Sequence, residues 1–188
     1  MAFRPRFSII IPAHNEEVLL PRGLDAIEAA ITRSGASAEI VVVANRCTDS
    51  TASIAEAAGA VVVRDGHRNI AATRNAGVAA STGEIVVTID ADTIVHPDAL
   101  TEVDRLVRTR AYIGGGCRFV LERNSLGLAV TTFAVTLATT LSRTGGVVYW
   151  CSREDFDAIG GFDEARRFRN LRDAPATVSV RKFDTFGD

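Results

Sequence analysis

Two aspartates one residue apart, Asp90 and Asp92, are the side chains of this sequence best suited to chemistry. They directly follow residues 84–89, a run rich in β-branched residues that is typical of a buried strand. Carboxylate oxygens are the ligands that hard divalent cations prefer, and a turn at this point brings two carboxylates to one cation. A Mg²⁺ or Mn²⁺ ion held there can neutralise charge on a departing diphosphate. The alternative interpretation is a pair of turn carboxylates that cap the next helix.

Polar residues also follow two earlier apolar runs. The run 7–11 leads into a polar segment at 14–16, and the run 39–43 leads into a polar segment at 45–49. In open α/β sheets, ligands gather outside the carboxyl ends of the strands. We therefore expect both segments to share one cleft with Asp90.

Strand-like runs alternate with segments of helical periodicity along the chain. This alternation predicts an α/β fold with a mainly parallel, Rossmann-like central sheet and helices on both faces. Strands are predicted at 7–11, 39–43, 60–63, 84–89, 111–113, 117–121 and 147–150, and helices around 20–31, 50–58, 70–78, 97–107, 126–141 and 152–159.

Length and composition restrict the class of protein. The chain has 188 residues, which is enough for one well-buried domain and short for two. A formal net charge of −2 provides no surplus for binding nucleic acid. Cys47, Cys117 and Cys151 lack CxxC spacing, which disfavours a disulfide framework or a zinc site and indicates a reducing compartment.

The cellular location is predicted from the apolar segments. The run 7–11 stops at Pro12 and is too short for the apolar core of an export signal. The stretch 126–141 contains five threonines and is too short to span a membrane, which predicts a buried or interfacial helix. We therefore expect a cytoplasmic protein, with peripheral association at the inner face of the membrane as an alternative.

Five segments together resemble the family 2 glycosyltransferases, which have the GT-A fold. They are FSIIIPAHNEE at 7–17, VANRCTDST at 43–51, RNAG at 74–77, TGEIVVTIDADT at 82–93 and EDFDAIGGFDE at 154–164. Each segment alone is a weak signal, but the five occur in the family's order with fitting spacings. The resemblance implies an enzyme that transfers a sugar from a nucleoside diphosphate to an acceptor.

The resemblance implies a nucleotide pocket at the ends of the first two strands. Pro12, His14 and Glu16 would line this pocket, and Val43 and Asn45 would contact the base. Asn15 or Glu16 can equally cap the following helix. The family commonly has an acidic residue where this chain has Asn45. An amide both donates and accepts hydrogen bonds, so uracil, guanine or another base fits the sequence.

The resemblance also implies contacts with the diphosphate. Arg74 matches a cation near the donor, Asp90 and Ala91 would meet the nucleotide sugar, and Asp90 and Asp92 would bind the metal. A guanidinium can grip phosphate oxygens in a forked geometry, although a solvated helix arginine is the alternative for Arg74. His67 has no partner at ligand spacing and is predicted to be a surface residue.

The catalytic base is the weakest part of the pattern. Inverting members need a carboxylate that accepts the proton of the acceptor hydroxyl, and the family places it in an acidic pair after the GGFDE-like turn. Here Glu164 runs into Ala-Arg-Arg-Phe, so Asp163 and Glu164 are the nearest substitutes. We divide the chain into a glycosyltransferase domain, 1–165, and a C-terminal tail, 166–188, that is truncated or lacks a preceding loop.

The function expected from the resemblance is metal-assisted, inverting sugar transfer to an unknown lipid, polysaccharide or small-molecule acceptor. A non-catalytic module that binds nucleotide sugars is the first alternative, because the acidic pair is absent. A haloacid dehalogenase-like phosphatase is a second, because residues 85–94 also approximate its strand and aspartate pair. A dinucleotide-dependent oxidoreductase is disfavoured, since no GxGxxG follows the first strand.

Overall fold

The computed structural model describes residues 4–121, 148–161 and 169–178, with the backbone alone at 118–121 and 169–178. The strands in this part of the chain are β1 (Phe7–Ala13), β2 (Ala38–Asn45), β3 (Val61–Asp65), β4 (Ile85–Ile89), β5 (Thr93–Ile94), β6 (Gly114–Leu121), β7 (Val148–Ser152) and β8 (Arg169–Val178). The helices are α1 (Leu20–Ser34), α2 (Thr51–Ala57), α3 (Ile70–Ala79), α4 (Ala99–Arg108) and α5 (Arg153–Ile159).

The strands form one mixed sheet in the order β3-β2-β1-β4-β7-β6-β8-β5. The first four strands of this order pair in parallel, as βαβ units require. Beyond β4 the sheet is mixed, because β7 runs antiparallel to both β4 and β6, while β6 and β8 run parallel. The predicted Rossmann-like α/β class with helices on both faces is confirmed.

Strand β1 lies at the centre of the parallel half, and all seven of its residues are buried. Its side chains alternate between two cores, as the two-residue period of a strand requires. Ile9 and Ile11 pack in the core that includes Ile27 of α1, whereas Ile10 packs in the core that includes Phe156 of α5. The parallel half of the sheet is therefore covered on both faces and positions its loops rigidly.

The glycine-rich segment differs from the prediction. The predicted strands 111–113 and 117–121 flank Gly114–Gly116, but in the structure these glycines begin β6 and residues 111–113 precede it. Gly115 lies opposite Trp150 of β7 in the ladder. A residue without a side chain leaves room for the indole, and this cross-strand requirement is not visible in local sequence.

Strand β8 lies within the predicted tail 166–188, where the sequence pattern predicted no strand. The structure places this strand in the same sheet, between β6 and β5. The division of the chain after residue 165 stays a prediction. The predicted helix 126–141 and the candidate bases Asp163 and Glu164 lie outside the described residues. Among the described residues, no helix is long and apolar enough to cross a lipid bilayer.

Candidate active site

The carboxyl ends of β1, β2, β3 and β4 meet at one edge of the sheet and enclose a cleft of about 410 Å³. Their ends are aligned by the parallel register, in which Ala13 lies opposite Ala44 and Asn45 lies opposite Asp65. The polar segments that follow these strands therefore converge, as expected from the sequence. Eight of the predicted site residues line the cleft: Pro12, His14, Glu16, Asn45, Arg74, Asp90, Ala91 and Asp92.

Val43 is the predicted binding residue that lies elsewhere. It is fully buried and belongs to the core under α3. A Cβ added at Gly77 of α3 would lie 2.7 Å from the Val43 Cγ2 atom, so helix and side chain are in close contact. The Val43 side chain therefore cannot contact a base in the cleft, because it lies inside β2 and is covered by α3, whereas Asn45 lies on the same face at the end of the strand and lines the cleft. A contact between the backbone of residue 43 and the base stays a prediction.

The two aspartates lie on a tight turn after β4. The Thr93 backbone N–H donates to the Asp90 carbonyl at 3.0 Å, which closes the turn. Helix α1 packs directly on it, since a Cβ at Gly23 would lie 3.1 Å from the Ala91 carbonyl oxygen. Helix α4 begins only at Ala99, so neither aspartate caps it and the capping interpretation is wrong.

Arg74 is an anchored residue. Its side chain is only 15% exposed and donates to the Asp90 Oδ1 atom at 2.7 Å. Its guanidinium carbon lies 5.0 Å from the centre of the Tyr149 ring, which adds a cation–π contact. The interpretation as a solvated helix arginine is therefore wrong. The ion pair holds a cation beside the aspartate turn and inside the cleft.

Asn45 belongs to a hydrogen-bonded network with Asp65, which pattern analysis missed. The Asn45 Nδ2 donates to the Asp65 Oδ2 at 2.5 Å, and the Thr73 hydroxyl donates to the same oxygen at 2.8 Å. Burial alone would raise the pKa of Asp65, but hydrogen bonds from Thr73, Asn45 and His67 lower it to about 2. Asp65 ends β3 as Asn45 ends β2, so a comparison of strand ends in the sequence is the signal that could have found it.

His67 is exposed, as predicted, but it also lines the rim of the cleft. Its Nδ1 atom lies 2.5 Å from the Asp65 Oδ1 atom. His14 is fixed by a second contact, because its Nδ1 donates to the Asn45 backbone carbonyl at 2.7 Å. Both imidazoles are thus oriented by hydrogen bonds to groups at the ends of β2 and β3.

The loops after β1 and β2 are joined by reciprocal hydrogen bonds. Asn15 accepts from the Thr48 backbone N–H at 2.8 Å, and Asp49 accepts from the Glu17 backbone N–H at 3.1 Å. Asn15 has a positive φ of 55°, a conformation that asparagine tolerates better than most residues. Leu19 precedes α1 and makes no side-chain cap. The Glu16 backbone N–H donates to the Thr51 hydroxyl at 2.8 Å, so Asn15 and Glu16 both join this loop to the one after β2.

Comparison with known proteins decides the family. The model of the family described as "Glycosyl transferase family 2" matches residues 8–129, more than half of the chain. The chain belongs to glycosyl transferase family 2. Membership extends over residues 8–129, and it removes the phosphatase alternative, which rested on one motif.

Two curated relatives of this glycosyl transferase family 2 chain match over more than half of its length. One is an undecaprenyl-phosphate 4-deoxy-4-formamido-L-arabinose transferase of Pseudomonas aeruginosa, 36% identical in an alignment of length 114 that covers 55% of this chain and 32% of that protein. The other is a PGL/p-HBAD biosynthesis glycosyltransferase of Mycobacterium bovis, 34% identical in an alignment of length 116 that covers 58% of this chain and 42% of that protein. The chain thus matches less than half the length of either relative.

A solved structure with a similar fold is the mannosyltransferase PcManGT from Pyrobaculum calidifontis, in complex with GDP-Man and Mn²⁺. It aligns with a TM-score of 0.74 at 23% identity and covers 95% of this chain and 58% of the other. At this identity the likeness concerns the fold, and it confirms the GT-A fold implied by the sequence.

Within the described residues, no group of three or more His, Cys, Asp or Glu side chains is arranged to hold a metal ion.

Two arginines that the sequence pattern did not predict, Arg46 and Arg68, also line the cleft. Arg46 has a positive φ of 50°, which is uncommon for a non-glycine residue and often marks functional loops. The cleft of this family 2 member therefore combines an acidic turn with several cationic side chains.

Proposed function

We propose that this domain transfers a sugar from a nucleoside diphosphate donor to an acceptor oxygen, with a divalent cation bound at the aspartate turn. The observation that carries the proposal is the convergence of four strand ends on one cleft. Asp90 and Asp92 lie there beside Arg74, and Glu16 and Asn45 lie in the same cleft. Acidic groups for a cation, a cation for phosphate and polar groups for a nucleoside are thus within one cavity.

The side chains fit a cation that shares its ligands with the substrate. Mg²⁺ and Mn²⁺ are commonly bound in transferases by one or two carboxylates, with phosphate oxygens and water completing the shell. The described residues provide two carboxylates on one turn and no larger metal-binding cluster. Asp90 is already paired with Arg74, so we assign Asp92 as the principal protein ligand. The cation, when bound, would stabilise charge on the departing diphosphate.

Arg74 has donors available for the diphosphate. One guanidinium nitrogen is bonded to Asp90, and within the described part of the chain the buried Nε atom has no hydrogen-bond partner. A buried, unsatisfied donor is costly, so a ligand that accepts its hydrogen bond is favoured. We assign to Arg74 the binding of diphosphate oxygens, with Asp90 holding the guanidinium in place.

The proposal extends to an acceptor and to a catalytic base. One relative is an undecaprenyl-phosphate sugar transferase, so a lipid phosphate is the first acceptor to assay. Such an acceptor would bring the domain to the inner face of the membrane. Inverting transfer to a hydroxyl acceptor needs a carboxylate base that takes its proton, for which Asp163 and Glu164 remain our proposals, whereas an ionised phosphate acceptor carries no such proton. If neither acts as the base, the domain binds the donor without transferring the sugar.

The test is the metal dependence of nucleotide binding. Asp92→Asn removes one carboxylate charge and keeps the shape of the side chain. We expect it to weaken the binding of UDP and GDP in Mn²⁺ by about 100-fold or more, since even outer-shell changes at metal sites cost 10–100-fold. Isothermal titration measures this affinity, and thermal unfolding without ligand checks that the fold is retained.

Asp25→Asn is the matched control, because Asp25 is an exposed carboxylate on α1 and does not line the cleft. It should bind nucleotides as the wild type does. Equal affinity in the wild type and Asp92→Asn would refute the metal assignment. Release of nucleoside diphosphate from a nucleotide sugar, compared with product formation on a lipid phosphate, separates a transferase from a binding module.

A further inference from the structure

The side-chain amide of Asn45 has a defined orientation. Its nitrogen donates to the Asp65 Oδ2 at 2.5 Å and to the His67 backbone carbonyl at 2.8 Å, and it lies 3.0 Å from the Thr73 hydroxyl. A carboxylate and a carbonyl can only accept hydrogen bonds. A reversed amide would place its oxygen against these two oxygens, so the nitrogen must face β3 and α3.

Asp65 maintains this orientation because it stays ionised. Its side chain is only 5% exposed and also binds His67 and the hydroxyl of Thr73. With a pKa lowered to about 2, it carries no proton near neutral pH and cannot donate to Asn45. The three donors around it therefore all point toward the carboxylate.

The oxygen of Asn45 is the atom left for a ligand in the cleft. No residue in the described part of the chain donates a hydrogen bond to it, and Asn45 lines the cleft. Asparagine usually pairs with adenine through both amide atoms, but here the nitrogen is already engaged. Uracil, thymine and guanine carry a ring N–H on their pairing edge, whereas cytosine and adenine carry a ring acceptor there.

We propose that Asp65 is a positioning residue that makes Asn45 a hydrogen-bond acceptor, so that the cleft selects nucleoside diphosphates whose base carries a ring N–H. The proposal rests on the proposed function, since it assigns the base of the donor. It also explains how an amide replaces the acidic residue that the family commonly has at this position. The Asn45 and Asp65 pair presents the same acceptor to the base.

The first test compares the affinities of the wild-type protein for four nucleotides. UDP, GDP, CDP and ADP are titrated in Mn²⁺, and the tighter of UDP and GDP should bind at least about tenfold better than both CDP and ADP, as expected for one matched hydrogen bond. The same nucleotide methylated at the ring nitrogen should bind about tenfold more weakly than its parent. Equal binding of the methylated form would overturn the proposal.

The second test changes the positioning residue. Asp65→Asn removes the charged one of the two acceptors that fix the Asn45 amide, and an amide at position 65 can pair with either orientation, so the preference should fall to within about threefold. The double variant Asn45→Asp with Asp65→Asn exchanges the two groups and keeps both the hydrogen bond and an acceptor at position 45. It should recover the wild-type preference. A merely structural role of Asp65 would weaken all four nucleotides together and leave their ratios unchanged.

The outcomes separate this proposal from the proposed function. Tight binding of all four nucleotides without preference overturns the role of Asn45 and Asp65 and leaves the nucleotide site intact. A preference that persists in Asp65→Asn overturns the role of Asp65. Binding of none of the four overturns the proposed function and this proposal with it. If Asp65→Asn alone does not fold, the base preference of the double variant and the affinity of the wild type for the methylated nucleotide test the proposal instead.

Discussion

The two ends of the parallel strands use similar chemistry for different purposes. At the amino end, the Glu39 Oε1 accepts from the Ser8 hydroxyl at 2.7 Å and from the Gly83 backbone N–H at 2.9 Å. At the carboxyl end, Asp65 accepts from Asn45 and Thr73. At both carboxylates burial opposes ionisation, but hydrogen bonds outweigh it and lower the pKa.

The ends differ in the space around these carboxylates. At the amino end Arg153 covers the strands and donates to the Gly83 carbonyl at 3.0 Å and to the Ser81 hydroxyl at 2.9 Å. The carboxyl end opens into the cleft of about 410 Å³. A polar network in closed packing stabilises the fold, whereas the same kind of network beside open space orients atoms toward a ligand.

The largest effect should come from filling space at the closed end. A Cβ at Gly83 would lie 2.6 Å from the Ser8 backbone nitrogen, and backbone cannot move aside cheaply. Gly83→Ala should lower the free energy of unfolding by about 2–4 kcal/mol, measured by urea denaturation. At Gly66, beside the cleft, an added Cβ meets nothing within 4 Å. Gly66→Ala should therefore change stability by less than about 0.5 kcal/mol. Similar losses in both variants would contradict the difference between the two ends.

A smaller effect should follow from removing the carboxylate at the closed end. Glu39→Ala leaves the Ser8 hydroxyl and the Thr82 backbone N–H without their acceptor and should cost about 1–3 kcal/mol, whereas the Gly83 N–H keeps its bond to the Ser8 hydroxyl. Glu39→Gln should cost less, because a single oxygen, Oε1, accepts these bonds and an amide oxygen can replace it. Neither variant should change nucleotide affinity, as measured by titration. A change in affinity would show that the closed end communicates with the cleft.

The smallest effect should be the pH dependence of Asp65. A carboxyl group whose pKa is lower in the folded state stabilises the fold above its unfolded pKa, and the contribution disappears as the pH falls through the folded value. The ordinary pKa is 3.8 and the folded value is about 2. The free energy of unfolding of the wild type should exceed that of Asp65→Asn by about 1 kcal/mol at pH 7, and this difference should shrink below about pH 4. Urea denaturation at several pH values measures it, and a difference that does not depend on pH would contradict the assignment.

Much of the cleft was predictable because its residues follow apolar runs. Glu16, Asn45, Asp90 and Asp92 each come shortly after a predicted strand, and parallel strands bring such positions to one edge. The Val43 side chain does not line the cleft, because it lies inside β2 on the same face as Asn45 and is covered by α3. The roles that the resemblance assigns to these residues remain predictions, for which the variants above are the test.

The amino-acid sequence by itself determined the α/β class, the first four strands and the position of the aspartate turn. Periodicity and strand-end polarity are local properties, so they can be read along the chain. Only the tertiary structure decided that Asp65 orients Asn45, that Gly83 packs on Ser8 and that β8 joins the sheet. These contacts join residues far apart in sequence, and they depend on strand register and packing, which no local pattern records.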